Sequence, residues 1–137
     1  MRVIALVQAR MGSTRLPNKV MKKIVGRPMI QLLLDRLSKS KEIDEIIVAS
    51  STNSNNDKLD KFVSGLGYVC SRGSENDVLN RFYQAAKESC ADVIVRITGD
   101  CPLVDPILVD QVIREHFSNN IDYTSNISPP TYPDGLD

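Results

Sequence analysis

The sequence predicts an α/β protein of Rossmann-like type, with a mainly parallel sheet and helices on both of its faces. Short apolar runs alternate along the chain with segments in which apolar residues recur three and four positions apart, the spacing of a helix. Strands that alternate with helices form βαβ units, whose right-handed crossovers place the strands parallel. No repeat, low-complexity tract or linker divides the 137 residues, so we expect one domain over residues 1–137.

The first half of the chain predicts two strand–helix units. The apolar run at residues 3–7 indicates a buried strand, and the next helix begins near Pro28, which suits a first turn. A second strand is predicted at residues 43–49, ahead of a polar loop. Asn56 or Asp57 then caps the second helix. The apolar positions of these two helices, and the glycines that end the second, are Ile30, Leu33, Leu34, Leu37, Leu59, Phe62, Val63, Leu66, Gly65 and Gly67.

The second half continues the alternation. A brief strand at residues 68–70 precedes a helix at residues 77–90. The strand at residues 92–98 is expected to be the most buried, because its apolar residues follow one another without alternation. A helix over residues 105–118 has an aspartate as its cap and a proline at its first position. A last strand is predicted to begin at residues 121–124, and the remaining tail is loop.

The composition excludes several functional classes. Lys plus Arg and Asp plus Glu both number 17, and this balance argues against a protein that coats nucleic acid or a membrane surface. Cys70, Cys90 and Cys101 lack the spacing of a metal site, which predicts reduced, core-filling thiols in a cytoplasmic protein. The first apolar run is too short for a signal peptide or a membrane span. The single histidine, His116, is expected to be solvated.

The loop after the first strand, residues 7–19, carries a cluster of positive side chains. These are Arg10, Arg15 and Lys19, and Gly12 and Ser13 lie between them. In an open α/β sheet, ligands bind at this carboxyl edge, where the loops of neighbouring strands converge. Fixed cations and the backbone amides near a glycine suit a polyphosphate. The spacing matches neither a P-loop nor a dinucleotide fingerprint, and a solvated basic loop is the alternative interpretation.

A carboxylate is predicted at the same edge of the sheet. Asp100 follows the strand at residues 92–98 directly after Gly99. Mg²⁺ is usually held by one or two carboxylates together with substrate phosphates, so Asp100 is a candidate magnesium ligand. The alternative is that Asp100 only shapes the turn ahead of Pro102.

A third group of polar candidates follows the third predicted strand. Asp77 is either a helix cap or part of a ligand site, and Arg81 either binds a ligand or is solvated or ion-paired. Arg96 lies within a strand that is predicted to be buried, so it needs a carboxylate or a ligand. We expect a structural ion pair for Arg96.

Three segments of the chain resemble the sugar-nucleotide cytidylyltransferases, which are CMP-sugar synthetases. They are the first loop, the Gly-Asp-Cys-Pro-Leu motif at residues 99–103, and residues 72–81. The first loop is most similar to that of spore coat polysaccharide biosynthesis cytidylyltransferases, which are similar to CMP-KDO synthetase. The resemblance implies the nucleotide-diphospho-sugar transferase fold and catalytic roles for Arg10, Arg15, Lys19 and Asp100. It also implies that the nucleotide contacts Ala9, Arg10, Gly12, Ser13, Arg15, Lys19, Arg72, Gly73, Asp77, Arg81, Thr98, Gly99 and Asp100.

The resemblance implies a Mg²⁺-dependent transfer of CMP from CTP to a sugar, expected to be acidic, with release of pyrophosphate for surface polysaccharide synthesis. A glycosyltransferase of related fold and a non-catalytic nucleotide-binding or assembly module are the alternatives. We expect no nucleic-acid or membrane partner. The sequence leaves open whether the chain forms a homodimer. The chain matches only the N-terminal part of the family's usual domain, so it is expected to be truncated at its C-terminus. As given, it is expected to bind CTP with Mg²⁺ weakly and to be inactive in CMP-sugar synthesis. Asp137 matches the position of a second acidic metal ligand.

Overall fold

Strands and helices alternate over residues 1–136, which are the residues that the computed structural model describes. In chain order they are β1 (Val3–Gln8), β2 (Lys23–Ile24), β3 (Arg27–Pro28), α1 (Met29–Leu37), β4 (Glu45–Ser51), α2 (Asp57–Gly65), β5 (Val69–Gly73), α3 (Val78–Glu88), β6 (Val93–Thr98) and α4 (Pro106–Asn119). Short 3₁₀ turns at Lys19–Met21 and Ser54–Asn56 precede β2 and α2.

The main sheet is parallel and has the strand order β5, β4, β1, β6. The chain moves outward from β1 to β4 and β5, and then returns through α3 to reach β6 on the other side of β1. The direction of growth therefore reverses between β1 and β6, and this pair is the topological switch point. The last residues of the two strands are in register, with Gln8 beside Thr98. The predicted parallel, Rossmann-like sheet is confirmed.

Helices cover both faces of the sheet, as predicted. On one face, α1, α2 and α4 pack against side chains that include Ala5 and Val7 of β1. On the other face, Phe82 and Ala85 of α3 pack against Leu6 of β1 and its neighbours. Successive side chains of a strand point to opposite faces, so β1 contributes to both cores. Each fully buried aliphatic side chain contributes roughly 1.5–3 kcal/mol, which makes β1 the anchor of the sheet.

Two predicted helix caps are confirmed. The Asp77 carboxylate accepts a hydrogen bond from the Asn80 backbone N–H at 2.9 Å, at the start of α3. The Asp105 carboxylate accepts one from the Ile107 backbone N–H at 2.8 Å, and Pro106 is the first residue of α4. Such caps are worth about 1 kcal/mol each. They also fix the points at which the two helices leave the carboxyl edge of the sheet.

β6 is an edge strand, and the expectation that it is the most buried strand is wrong. Within the described residues β6 pairs with β1 alone. Ile97 is buried, whereas Ile94 is 46% exposed. A continuous apolar run is typical of a strand buried on both faces, but it does not reveal whether a neighbouring strand or a second helix covers it. β1 is the strand that fits the expectation, since Val3 to Val7 are all buried.

A small hairpin between β1 and α1 was not predicted. β2 and β3 pair antiparallel through a turn at Val25 and Gly26, whose φ angles are 49° and 80°. Two-residue hairpin turns need such positive angles and usually carry Asn-Gly, so Val-Gly gives little sign of one. Pro28 closes β3 and immediately precedes α1, so the helix begins one residue later than predicted.

Residues 121–124 do not form the predicted strand. The chain after α4 is irregular as far as residue 136, apart from one isolated bridge between Ile127 and Pro130. Tyr123 is 76% exposed. Without a sheet partner among the described residues, this segment does not bury its apolar side chains on a sheet face.

Two smaller expectations also need correction. Cys90 is exposed, while Cys70 and Cys101 are half-buried, so the thiols do not all fill the core. Burial and the nearby Asp60 carboxylate raise the pKa of the Cys70 thiol to about 12, which leaves this thiol unreactive at neutral pH.

His116 is half-buried rather than solvated, and its Nδ1 atom lies 3.0 Å from the Thr124 hydroxyl. Between residues 1 and 136, no helix combines the length and the apolar character that a membrane crossing requires.

Candidate functional site

The loops after β1 and β6 lie side by side at the switch point, and Gly99 sets how closely they approach. The Gly99 backbone N–H donates to the Gln8 carbonyl oxygen at 2.7 Å. A Cβ atom at position 99 would lie 2.4 Å from that oxygen, and 3.1 Å from the Ala9 Cβ. Backbone atoms cannot yield to such an overlap, so only glycine fits here. Gly99 and Ala9, both predicted site residues, therefore act as close-packing positions beneath the two loops.

A buried asparagine braces the first loop. The Asn56 side chain, which is 1% exposed, accepts a hydrogen bond from the Met11 backbone N–H at 2.8 Å. Its amide nitrogen donates to the Ser51 hydroxyl at 2.7 Å, at the end of β4. Asn56 occupies the N-cap position of α2, as one of the two predicted options, but its side chain does not cap the helix. Sequence reasoning assigned it no role in the site.

The first loop closes on itself around Met11. The Asn18 backbone N–H donates to the Met11 carbonyl oxygen at 3.1 Å, and the Ser13 N–H donates to the same oxygen at 3.0 Å. The Ser13 amide therefore has a partner within the loop, although we expected it to be a donor for a ligand. Gly12 lies beside Asn55, with room for ordinary van der Waals contact. Arg10 and Arg15 are exposed.

Lys19 and Asp100 bring the two predicted motifs into contact. The Lys19 Nζ atom lies 3.2 Å from the Asp100 Oδ2 atom, and the Lys19 and Asp100 side chains are 32% and 51% exposed. Partial burial acts to raise the pKa of Asp100, but hydrogen bonds from Lys19 and Thr98 and the charge of Lys19 outweigh it and lower that pKa. Asp100 is therefore fully ionised at neutral pH.

Arg72 is held by protein groups. Its guanidinium group contacts the Asp57 carboxylate at 2.8 Å and the Asp60 carboxylate at 3.4 Å. It also donates to the carbonyl oxygens of Ser51 and Asn53, at 3.0 and 2.9 Å. The hydrogen bond that Arg72 donates to the Asp57 carboxylate is the main reason that the pKa of Arg72 is raised. These contacts tie β5 to the start of α2, and a nucleotide contact by Arg72 stays a prediction.

Arg81 is buried, and it is neither solvated nor ion-paired. Its side chain is 1% exposed, and Nη1 donates to the Ser74 carbonyl oxygen at 3.0 Å. Among residues 1–136, the Nε and Nη2 atoms have no hydrogen-bond partner. Burial, followed by the charge of Arg10, lowers the pKa of Arg81. A Cβ atom at Gly73 would lie 3.0 Å from the Arg81 Cγ atom, so Gly73 leaves room for this side chain.

Arg96 is exposed, which corrects the prediction of a buried ion pair. Its Nη2 atom donates to the Gln8 side-chain oxygen at 3.2 Å, and its guanidinium carbon lies 5.9 Å from the centre of the Phe82 ring. Within residues 1–136, no carboxylate forms an ion pair with Arg96. Because β6 is an edge strand, water replaces the partner that a buried position would have required.

The carboxylates at this edge determine whether a magnesium ion fits. Within residues 1–136 no three His, Cys, Asp or Glu side chains form a group that could enclose a metal. Asp100 supplies an ionised, half-exposed carboxylate next to the cationic loop. That arrangement fits Mg²⁺, which keeps several waters and takes other ligands from substrate phosphates. Asp137, the second predicted ligand, lies outside the described residues.

The fold and the site together define an α/β protein with a Rossmann-like sheet and a cationic candidate site at its switch point. A cationic loop and an ionised carboxylate face each other where such folds bind their ligands. The chain belongs to the cytidylyltransferase family, whose model matches residues 4–132. The resemblance found in the sequence is thus confirmed.

Individual relatives agree with this assignment. The chain is 37% identical over 132 residues to the spore coat polysaccharide biosynthesis protein SpsF of Bacillus subtilis (strain 168), covering 93% of this chain and 55% of SpsF. It is 34% identical over 116 residues to a 3-deoxy-manno-octulosonate cytidylyltransferase of Pelobacter propionicus, covering 83% of this chain and 44% of that enzyme. The chain spans about half the length of the curated relatives it matches.

A solved structure shares the fold. A cytidylyltransferase from Leptospira borgpetersenii serovar Hardjo-bovis (strain JB197) superposes with a TM-score of 0.83 at 38% identity. The match covers 87% of this chain and 50% of that protein.

Proposed function

We propose that this chain forms the nucleotide-binding part of an enzyme that transfers CMP from CTP to a sugar and releases pyrophosphate. The observation that carries the proposal is the contact between Lys19 and Asp100, which joins a cationic loop to a carboxylate at the switch point. Family membership supports CTP as the nucleotide. The name of the relative from Pelobacter propionicus, a 3-deoxy-manno-octulosonate cytidylyltransferase, supports the same choice.

The cations of the first loop would neutralise the triphosphate. Transfer at a phosphorus atom depends on alignment and on stabilising the charge that develops, rather than on covalent help from the protein. Arg10 and Arg15 are exposed and can reach a ligand at this edge. We assign the β- and γ-phosphates to Arg15 or Lys19. Gly12 allows the loop backbone to come close to them.

Asp100 is the residue that would hold Mg²⁺. The bound ion would add a positive charge next to the phosphate oxygens, where negative charge develops. The lowered pKa of Asp100 keeps this carboxylate ionised, as metal binding requires. Lys19 neutralises Asp100 in the free protein. With Asp100 holding the ion, the Lys19 ammonium group would be available to a phosphate oxygen.

We infer that the second substrate is an acidic sugar and that the product serves surface polysaccharide synthesis in the cytoplasm. The names of the two curated relatives support this inference. A sugar hydroxyl oxygen forms a new bond to the α-phosphorus, while the bond from that phosphorus to the bridging oxygen of the β-phosphate breaks. The hydroxyl proton passes to solvent water, and pyrophosphate leaves with the electron pair of the broken bond.

Thermal unfolding with each of the four nucleoside triphosphates, with and without Mg²⁺, tests the nucleotide assignment. A ligand that binds only the folded state stabilises it by about 2.7 kcal/mol when present at a hundred times its dissociation constant. We expect CTP with Mg²⁺ to raise the melting temperature more than ATP, GTP or UTP. Equal shifts for all four would contradict the assignment to CTP.

Pyrophosphate release separates an enzyme from a binding module. CTP, Mg²⁺ and 3-deoxy-manno-octulosonate are incubated with the protein, and reactions without the sugar acid are the control. Release that depends on both substrates supports a synthetase. Stabilisation by a nucleotide-sugar but not by CTP would instead indicate a glycosyltransferase.

A further inference from the structure

Arg36, in the last turn of α1, holds the loop that carries Asp100. Its Nε atom donates to the Val104 carbonyl oxygen at 2.9 Å, and its Nη2 atom donates to the Leu103 carbonyl oxygen at 3.4 Å. Arg36 and Val104 are 68 positions apart in the sequence, so neither the motifs nor the helical spacing indicated this contact. A residue of α1 therefore grips the segment between β6 and α4.

The guanidinium group of Arg36 serves these carbonyl oxygens rather than a carboxylate. Among residues 1–136, Arg36 forms no ion pair. Its contact with Val104 is partly buried. Hydrogen bonds from a charged donor are stronger than those between neutral groups, and the planar guanidinium fork donates in fixed directions. Arg36 is therefore suited to fix the direction of two successive peptide carbonyls.

The loop that holds Asp100 is anchored at both of its ends. At the start, the Gly99 N–H donates to the Gln8 carbonyl oxygen at 2.7 Å. At the end, the Val104 side chain is buried in the core on the α1 face of the sheet. A buried side chain fixes the position of Val104, but it leaves the preceding peptides free to rotate. The two hydrogen bonds from Arg36 remove this freedom.

The same helix holds the other side of the candidate site. The Met29 N–H, at the start of α1, donates to the Lys22 carbonyl oxygen at 2.8 Å. Lys19 begins the turn that precedes Lys22, and Val20 of this turn belongs to the core on the α1 face. α1 thus contacts the segments on both sides of the Lys19–Asp100 pair, and it determines how the two charges lie relative to each other.

We infer that Arg36 is a positioning residue for metal binding, because it holds the loop in the conformation that presents Asp100 to Mg²⁺. The inference rests on the proposed function for the identity of the metal and of the nucleotide. Replacing a residue that orients a metal ligand typically lowers metal affinity by about 10- to 100-fold. Arg36 acts through the loop backbone rather than on the Asp100 carboxylate itself, so we expect an effect at the lower end of this range.

Two substitutions of Arg36 and one matched control test this role. Arg36→Met removes the N–H donors and keeps an unbranched side chain. Arg36→Lys keeps the charge, but its single ammonium group lacks the planar fork that reaches both carbonyl oxygens. Arg114→Met is the control, because the Arg114 side chain pairs with Glu42 rather than with the Asp100 loop.

Amide hydrogen exchange tests the loop without any ligand. The Cys101 N–H donates to the Thr98 carbonyl oxygen, and the Val104 N–H donates to the Cys101 carbonyl oxygen, both at 3.2 Å. Local opening of the loop exposes these amides to exchange. Losing hydrogen bonds from a charged donor should make both amides exchange about tenfold faster in Arg36→Met. We expect an intermediate rate in Arg36→Lys and the wild-type rate in Arg114→Met.

A Mg²⁺ titration of CTP binding tests the consequence for the metal. In Arg36→Met, the Mg²⁺ concentration that gives half of the full effect should rise about tenfold, whereas the affinity for CTP without Mg²⁺ should stay within about twofold of wild type. Asp110→Asn is a second control. The Asp110 carboxylate accepts hydrogen bonds from the Lys41 and Glu42 N–H groups, so this variant loosens α4 away from the Asp100 loop. Its Mg²⁺ response should match that of the wild type.

The outcomes separate this inference from the proposed function. A wild-type Mg²⁺ response in Arg36→Met would overturn the inference, as would unchanged exchange of the loop amides. An equal loss of the Mg²⁺ response in Asp110→Asn would also overturn it, because general destabilisation would then explain the result. If CTP binding by the wild type did not respond to Mg²⁺ while the loop amides still exchanged faster in Arg36→Met, Arg36 would hold the loop and only the proposed function would be contradicted.

Discussion

The Lys19 Nζ atom lies 3.2 Å from the Asp100 Oδ2 atom, although 81 positions separate the two residues in the sequence. Both side chains are partly exposed, and ion pairs of this kind contribute only about 0–1 kcal/mol to stability. The contact therefore matters less for holding the fold than for where it places two charges. It shows that the first loop and the β6 loop meet at one point.

The cations of the first loop are predicted to be needed for nucleotide binding but not for folding. Arg15→Ala or Lys19→Ala removes one charge-assisted contact, which is worth about 1.5–3 kcal/mol, or roughly 10- to 150-fold in affinity for CTP. Titrations at two salt concentrations measure this loss, and circular dichroism checks the fold. Lys61→Ala, an exposed lysine on α2, is the control. Wild-type affinity in both test variants would exclude this loop as the triphosphate site.

Asn56 is predicted to stabilise both the protein and its first loop. Asn56→Ala leaves the buried Met11 N–H without its acceptor, which costs about 1–3 kcal/mol. Chemical denaturation measures the free energy of unfolding, and CTP affinity should fall in parallel as the loop loosens. The exposed neighbour Asn55 gives the control Asn55→Ala, whose unfolding free energy should change by less than about 0.5 kcal/mol. Similar unfolding curves for the two variants would show that the brace is unimportant.

Gly99 is predicted to tolerate no side chain. In Gly99→Ala the new methyl group would lie 2.4 Å from the Gln8 carbonyl oxygen, so the two strand ends must separate. Overpacking of this kind costs about 1–3 kcal/mol. Gly65→Ala is a matched control, because no atom lies within 4 Å of a Cβ atom placed there. If thermal melts of the two variants coincide, the close approach of the β1 and β6 loops is not required.

Asp110 is predicted to make stability depend on pH below neutrality. Burial acts to raise the pKa of this α4 carboxylate, but hydrogen bonds from the Ser40 hydroxyl and the backbone N–H groups of Lys41 and Glu42 lower it overall. A lowered folded-state pKa means that the stabilisation is complete above the unfolded-state value of about 3.9, and is lost as the pH falls through the folded-state value. Asp110→Asn should therefore lower the melting temperature at pH 7, with a difference that shrinks below about pH 4. A difference independent of pH would rule out this linkage.

Periodicity and capping residues were sufficient to predict most of the fold. The helical spacing of Leu33 and Leu37, and the caps Asp77 and Asp105, arise from local rules that act within a few residues. The hairpin at Val25 escaped prediction because its turn angles are imposed by neighbouring structure rather than by the residue itself. The exposure of β6 depends on whether a neighbouring strand or helix covers it, and a run of apolar residues does not show this.

Sequence motifs predicted the part of the site that they contain. The contacts that depend on packing between distant residues were not predicted. The motifs located Lys19 and Asp100, and the order of the strands then brought them together. Asn56 gave no signal beyond its place in a polar stretch, because its role depends on a contact with Met11, 45 positions away. The burial of Arg81 was likewise hidden, since charged residues on helices are usually exposed.

The most direct test of the account is a Mg²⁺ titration of CTP binding with wild-type protein and Asp100→Asn. The substitution keeps nearly the same shape and removes the charge, so the fold should be intact. Asp35→Asn, which removes an exposed carboxylate paired with Arg27, is the control. We predict that Mg²⁺ strengthens CTP binding by the wild type and the control, and that it has no effect on Asp100→Asn. The same Mg²⁺ dependence in all three proteins would contradict the assignment of Asp100 as the metal ligand, and with it the proposed site.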